Sequence, residues 1–227
     1  MEDSQDGPGR RKEAAGVIPT REEMRRALEE RQGKALTAAF SAASVAVCGL
    51  GGLGSNIAAA LARAGVGKLI LLDYDRVEVS NLHRQQYKAS QAGRYKTEAL
   101  AENLREIAPY VELETHLVHV DEENGAVLLD GADVICEAFD EAECKAMLVN
   151  LVLEAMPDCY LVAASGMAGM GSPNRIETRR VTERFYLCGD GVSDVKDGIS
   201  LVAPRVMACA AHQAQTVLRI LAGEYDI

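Results

Sequence analysis

"SVAVCGLGGLGSNIAAALARAGVGKLILLD", residues 44–73, decides the fold. Its opening, "SVAVCGL", predicts a short buried strand. "GSNIAAALARAGVG" predicts a helix closed by glycine, and "KLILLD" a second, fully apolar strand. Gly49, Gly51 and Gly54 form G-x-G-x-x-G between strand and helix, the setting in which that spacing has physical meaning. Gly49 permits a tight turn, Gly51 and Gly52 let backbone N–H groups approach phosphate oxygens, and Gly54 lets the helix pack closely on the sheet. The helix N-terminus adds a partial positive charge. Asp73, closing the second strand, can accept both ribose hydroxyl protons. The pattern predicts a nucleotide site with a free ribose.

The alternation continues outward. "KTEALAENLREIAP" (96–109) is an amphipathic helix stopped by Pro109, and "VELETHLV" (111–118) alternates as a strand. "DVICEAF" (133–139) is a buried strand, "EAECKAMLVNLVLEAMP" (141–157) a helix, and "YLVAASG" (160–166) another strand. Apolar strands alternating with helices predict an α/β, Rossmann-like, mostly parallel sheet with helices on both faces. The last third breaks the rhythm. "NRIETRRVTERFYLCGD" (174–190) reads as two antiparallel strands, "GDGVSDVKDG" (189–198) as a loop, and "APRVMACAAHQAQTVLRILAG" (203–223) as a final helix. At the other end, Thr20 and Glu23 form a capping box and Gly33 an exit, so a helix is expected within 19–34. Residues 1–18 are expected to be disordered, and 44–227 to form one domain.

Composition narrows the function. A net charge of -10 argues against a sequence-independent grip on nucleic acid, which requires neutralising phosphates. The N-terminus lacks an apolar signal core and no apolar run reaches spanning length, so a soluble, cytoplasmic protein with no membrane partner is expected. The 6 cysteines include no C-x-x-C pair; they are read as mostly reduced core residues, and no structural zinc is expected. His116 and His119 are read as lying on a strand and facing opposite ways, and His83 and His212 stand alone, so no metal site is expected among them.

The segment after Asp73 separates candidate nucleotides. A dinucleotide's pyrophosphate is satisfied largely by the glycine loop, whereas a triphosphate undergoing cleavage needs cations around its oxygens. Arg84, with Asn81 before it, offers a planar fork, and Lys96 at the next helix start a point charge. Asp140, at the C-terminal end of "DVICEAF", lies at the ligand-binding edge of an open parallel sheet and can hold Mg²⁺ there. As an alternative, Asp140 caps the following helix.

"GLGGLGSNIAAALARAGVGKLILLDYDRVEVSNLHRQQY" (49–87) resembles the ThiF/MoeB/HesA adenylyltransferases, bacterial relatives of the ubiquitin-activating enzymes. The shared features are G-x-G-G-x-G, the A-G-V-G helix end, D-x-D, N-x-x-R-Q, a lysine opening the next helix, and a strand ending in aspartate. The resemblance runs from Ser44 to Asp140 and more weakly to the final helix. The short chain and missing zinc cysteines resemble the divergent ThiF branch associated with thiamine biosynthesis.

The resemblance implies that ATP·Mg²⁺ adenylylates the C-terminal Gly-Gly carboxylate of a ubiquitin-like sulfur carrier. It implies that Asp73 holds the ribose, that Gly52 and Asn81 seat the nucleotide, that Arg84 and Lys96 stabilise phosphate charge, and that Asp140 ligates Mg²⁺. It also implies a homodimer in which an arginine from the partner subunit completes the site. Arg31 is the best match for that arginine, with Arg21, Arg25 and Arg26 as alternatives. Glu141 departs from the family's usual asparagine. Some relatives carry a reactive cysteine; Cys188 is the thiol in that region, although packing in the core is the simpler reading beside Asp190. Two other readings compete: an NAD-dependent oxidoreductase, and a related enzyme that activates a modified tRNA base.

Overall fold

The computed structural model describes residues 17–195, 198 and 200–226. Among the described residues seven strands form one sheet: β1 (Ser44–Cys48), β2 (Lys68–Asp73), β3 (Glu112–Leu117), β4 (Val134–Glu137), β5 (Tyr160–Ala164), β6 (Glu177–Arg180) and β7 (Phe185–Gly189). Their spatial order is β3-β2-β1-β4-β5-β7-β6. All pairs are parallel except the last, where β6 runs antiparallel to β7. The chain builds outward from β1 through β2 to β3, then returns to place β4 on the other side of β1. That reversal opens a crevice at the C-terminal ends of β1 and β4, where open α/β sheets bind ligands.

The helices are α1 (Arg21–Gln32), α2 (Lys34–Ala42), α3 (Gly52–Ala64), α4 (Lys96–Ile107), α5 (Gly125–Leu128), α6 (Ala142–Ala155) and α7 (Ala203–Leu221). Successive residues of β1 feed opposite faces of the sheet. Val45 and Val47 join the core under α3, α4 and α7, with Ile57, Leu61, Leu100 and Val217. Ala46 and Cys48 join the core under α6, with Leu148 and Val152. Both faces of the central strands are thus dry, which is why their sequences are apolar without alternation.

The expected elements stand where the sequence places them, with three differences. Gly33 ends α1 and also begins α2, a helix that is not among the expected elements. Its Thr37 and Phe40 turn inward, the Thr37 hydroxyl donating to Gly33 O at 2.9 Å. β3 ends at Leu117, so His119 lies in the loop beyond it rather than on a strand. The short helix α5 was also not anticipated. The capping box of Thr20 and Glu23 is formed as expected. The expectation of disorder for 1–18 falls largely on residues 1–16, outside the described residues. Among the described residues no helix is long and apolar enough to cross a membrane.

Candidate active site

The glycine loop links β1 to α3. Gly49 has φ +89° and donates its N–H to Leu72 O at 2.9 Å, and a Cβ on it would stand 2.7 Å from Ala138 O. The turn is therefore pressed against both neighbouring strand ends. A Cβ on Gly54 would lie 1.8 Å from Gly49 O, so this glycine sets how closely the helix packs on the turn. Gly51 is the N-cap residue of α3 and Gly52 its first residue, leaving the helix's first N–H groups directed toward the crevice.

Asp73 is bound to that loop. Its Oδ2 accepts the Leu50 N–H at 2.6 Å and its Oδ1 the Asp75 N–H at 2.7 Å. Burial pushes the Asp73 carboxyl pKa up, opposed by the nearby Lys96 charge and by both N–H groups. Lys96 Nζ lies 3.7 Å from Asp73 Oδ2 and 2.7 Å from Asp75 Oδ2. A short backbone ladder makes this meeting possible: Val77 N–H donates to Arg94 O at 2.8 Å and Lys96 N–H to Asp75 O at 2.9 Å. The start of α4 is thereby tied to the end of β2.

The loop after β2 docks on the first turn of α3. Asn56 Nδ2 donates to Gly52 O at 2.6 Å and to Arg84 O at 3.1 Å, and Gln86 N–H donates to Ser55 Oγ at 3.1 Å. Arg84 is loosely held at its tip, with Nη2 3.3 Å from Asn81 Oδ1 and Nη1 3.4 Å from Ser80 O. Burial lowers the Arg84 pKa, and the Asp140 charge counters that. The two sides of the crevice therefore carry opposite charges that sense each other.

Asp140 is exposed just beyond β4. It does not cap α6, whose N-cap residue is Glu141. The turn carrying Asp140 is fixed by the buried Glu137 carboxylate and the half-buried Lys145. Glu137 Oε1 accepts the Phe139 N–H at 2.8 Å, while Lys145 Nζ donates to Phe139 O at 2.9 Å and to Glu137 Oε1 at 3.0 Å. Burial pushes the Glu137 pKa up, and Lys145 opposes it.

These groups surround one cavity of about 620 Å³, lined by Gly49, Gly51, Gly52, Asp73, Asn81, Arg84, Lys96 and Asp140, while Gly54 packs behind it. Sequence reasoning missed Asp75, Gln85, His119 and Lys145, which also line it. D-x-D was a signal for Asp75; nothing local marked Lys145. The far half of the cavity is bounded by small and apolar residues, among them Ala164, Gly166, Ala168 and Val206, and by the segment 191–195. Arg205, 5% exposed, anchors that half by pairing with Asp190 and donating to Ala168 O at 3.0 Å and Gly171 O at 2.7 Å.

The remaining candidates lie elsewhere. Cys188 is buried in β7 and does not line the cavity; burial pushes its thiol pKa up. Cys144 is the thiol that does line it. Arg21, Arg25, Arg26 and Arg31 all sit on α1, away from this cavity: Arg25 pairs with Glu29, Arg26 with Glu22, and Arg21 lies over the Tyr110 ring. Among the described residues no group of three or more His, Cys, Asp or Glu side chains could hold a metal ion. A Mg²⁺ ion held by a single protein carboxylate and substrate phosphates needs no such group, so exposed Asp140 beside the cavity fits it.

A parallel sheet reversing beside a glycine-rich first turn, with an acidic residue at the next strand end, defines a Rossmann-like nucleotide-binding α/β protein. The profile of the ThiF family matches residues 24–227, and the chain belongs to that family, an E1-like family of adenylyltransferases. Ubiquitin-like modifier-activating enzyme 5 of Caenorhabditis briggsae is 37% identical over 125 residues, 55% of this chain and 28% of the relative. The adenylyltransferase and sulfurtransferase MOCS3 of Anopheles gambiae is 39% identical over 107 residues, 47% of this chain and 24% of the relative. The chain thus spans well under half the length of these relatives. In fold it is similar to the AMP complex of E. coli tRNA N6-threonylcarbamoyladenosine dehydratase TcdA, with TM-score 0.81 and 22% identity over 92% of this chain and 99% of that one.

Proposed function

We propose that the protein uses ATP to adenylylate the C-terminal Gly-Gly carboxylate of a ubiquitin-like sulfur carrier of the ThiS kind, serving thiamine thiazole formation. One observation above all supports this reading: Arg84, Lys96 and Asp140, from three separate elements, line the same cavity as the glycine loop and Asp73. A nicotinamide dinucleotide needs no such arrangement of charges around its bridging phosphates, whereas a departing pyrophosphate does.

In the proposed reaction Asp73 receives the ribose hydroxyls, and Asn81 with the N–H groups of Gly51 and Gly52 seats the phosphates. The carrier carboxylate, ionised at neutral pH, attacks the α-phosphorus. The new acyl–phosphate bond forms as the bond to the β-phosphate oxygen breaks, and pyrophosphate leaves opposite. Arg84 and Lys96 stabilise the charge that gathers on the phosphate oxygens. Asp140 would hold Mg²⁺, which supplies further charge neutralisation when bound. The small residues of the cavity's far half leave room for an extended glycine tail. In a homodimer, Arg31 of one subunit would reach the other's phosphates.

A tRNA substrate is the second reading, favoured by the fold likeness to TcdA. The net charge of -10 weighs toward a protein substrate. Incubation with ATP, Mg²⁺ and either a Gly-Gly-ended carrier or unfractionated tRNA separates them. An AMP adduct on the carrier tail, seen by intact-mass measurement, is expected; ATP cleavage with tRNA alone would reverse the choice.

A further inference from the structure

Two loops bound the cavity's far half, and one buried arginine laces them together. The loop after β5 supplies Gly166, Met167 and Ala168 to the lining, and the segment after β7 supplies Gly191, Val192 and Ser193. At their base the backbones touch. Asp190 N–H donates to Gly166 O at 2.9 Å and Gly191 N–H to Ser165 O at 3.0 Å, and a Cβ on Gly189 would stand 1.9 Å from Ser165 O. Beyond that point the lacing runs through side chains in a closed circuit. Ser193 Oγ accepts the Ala168 N–H at 3.0 Å and donates to Asp190 Oδ1 at 3.0 Å. The other Asp190 oxygen pairs with Arg205, whose Nε returns to Ala168 O at 3.0 Å. Arg205 also donates to Gly171 O at 2.7 Å and Ser172 O at 2.8 Å, and a Cβ on Gly171 would stand 3.4 Å from its guanidinium.

Stability alone does not account for this arginine. It is 5% exposed and is the third residue of α7, where a cation opposes the helix dipole. A buried ion pair returns little net stability over apolar residues of the same volume. What the circuit does contribute is one fixed arrangement of two loops. It also stands next to the phosphate turn: Val206, the following residue, has its Cγ1 3.0 Å from where a Cβ on Gly52 would stand.

We propose that Arg205 is a positioning residue for the substrate that meets the nucleotide. Through Asp190 and Ser193 it fixes the wall of small residues against which a glycine-ended tail lies, and so selects for tails without side chains. This rests on the carrier reading of the cavity. Ala168, Gly171, Ser172 and Asp190, the partners of Arg205 named above, all lie in the two loops, whereas Arg84, Lys96 and Asp140 stand on other elements. Loosening the circuit should therefore spare the nucleotide.

The test measures pyrophosphate release by the parent, Arg205→Lys, Asp190→Asn and Ser193→Ala proteins with ATP, Mg²⁺ and a ThiS-type carrier ending in Gly-Gly, and with the same carrier ending in Gly-Ala. AMP affinity by calorimetry and the Tm of each protein accompany it. Arg205→Lys and Asp190→Asn are expected to raise KM for the Gly-Gly carrier about tenfold, with kcat and AMP affinity as in the parent. Ser193→Ala removes a single hydroxyl and should shift KM in the same direction. All three should narrow the parent's preference for Gly-Gly over Gly-Ala. If Arg205→Lys or Asp190→Asn fails to fold, Ser193→Ala decides. Unchanged KM and unchanged preference in the folded variants overturn the proposal. So does a matching loss of AMP affinity, which would mean general disruption of the cavity. A parent that releases pyrophosphate with neither carrier overturns the carrier reading itself, an outcome seen before any variant is compared.

Discussion

Lys96 Nζ sits 2.7 Å from the half-exposed carboxylate of Asp75 and 3.7 Å from the buried carboxylate of Asp73. The cation assigned to the phosphates is therefore already held by the two ends of the D-x-D strand terminus. An incoming phosphate must share it with Asp75, whereas Asp73 keeps its backbone donors throughout. Replacing Lys96 by Met leaves two carboxylates facing the cavity without that cation. ATP-dependent pyrophosphate exchange should fall by about 10²-fold or more, and Lys96→Arg should retain part of it. Equal rates for Lys96→Met and parent would remove Lys96 from the mechanism.

Glycine positions in one loop should behave oppositely. A Cβ at Gly54 meets Gly49 O at 1.8 Å, so Gly54→Ala must push α3 off the turn, costing about 3 kcal/mol or more in urea unfolding. At Gly51 the nearest such contact is the Gln85 side chain at 3.7 Å. Gly51→Ala should cost about 1 kcal/mol of stability, yet weaken nucleotide binding by intruding on the phosphate position. Matching stability losses in the two variants would contradict this division of labour.

The Glu137–Lys145 pair should matter to folding and to Asp140 together. Lys145→Met leaves a carboxylate that is 1% exposed without its cation and should destabilise the fold by about 3 kcal/mol. Glu137→Leu combined with Lys145→Met should recover a large part of that loss, since no unpaired charge then remains. The double variant should still exchange pyrophosphate slowly, because neither the N–H nor the carbonyl of Phe139 would be tied and the turn presenting Asp140 would be free. Denaturation midpoints and exchange rates of the three proteins check both halves.

The pH dependence of stability should carry a signature of Asp190. Burial alone would raise its carboxyl pKa, but hydrogen bonds from Ser193, Val192 and Arg205 hold it at about 2, below the usual 3.8. A lowered folded-state pKa stabilises the protein above about pH 3.8 and loses that contribution as pH falls toward 2. Asp190→Asn should be less stable than the parent near neutrality, with the gap closing between those two values. A gap constant down to pH 2 would mean the charge contributes nothing.

Much of the architecture was legible because its signals are local. Strands β1, β2, β4 and β5 are buried on both faces and so read as short apolar runs, and the glycine turn announces itself by residue type alone. Helix α2 was not legible: nine residues after a helix-ending glycine, with Thr37 and Phe40 as its buried positions, show too few turns for a period to emerge. Asp73 and Asp140 could be singled out from the strand ends beside which they fall, Arg84 from the polar loop after β2 and Lys96 from the start of α4. Their partners could not. That Lys145 closes on Glu137, that Arg205 clamps Asp190, and that Gln85 lies buried over Gly51 all depend on how loops pack across the sheet edge. Sequence spacing does not encode such packing.

The central claim is that Arg84 and Asp140 act on the phosphates of ATP during transfer to a Gly-Gly carboxylate. The most direct measurement is ATP–pyrophosphate exchange in the presence of a Gly-Gly-ended carrier and Mg²⁺, comparing the parent with Arg84→Ala and Asp140→Ala. The account predicts carrier-dependent exchange by the parent and a loss of about 10²-fold or more in each variant, with Tm nearly unchanged because both side chains are loosely held. Exchange by both variants at the parent's rate would contradict it.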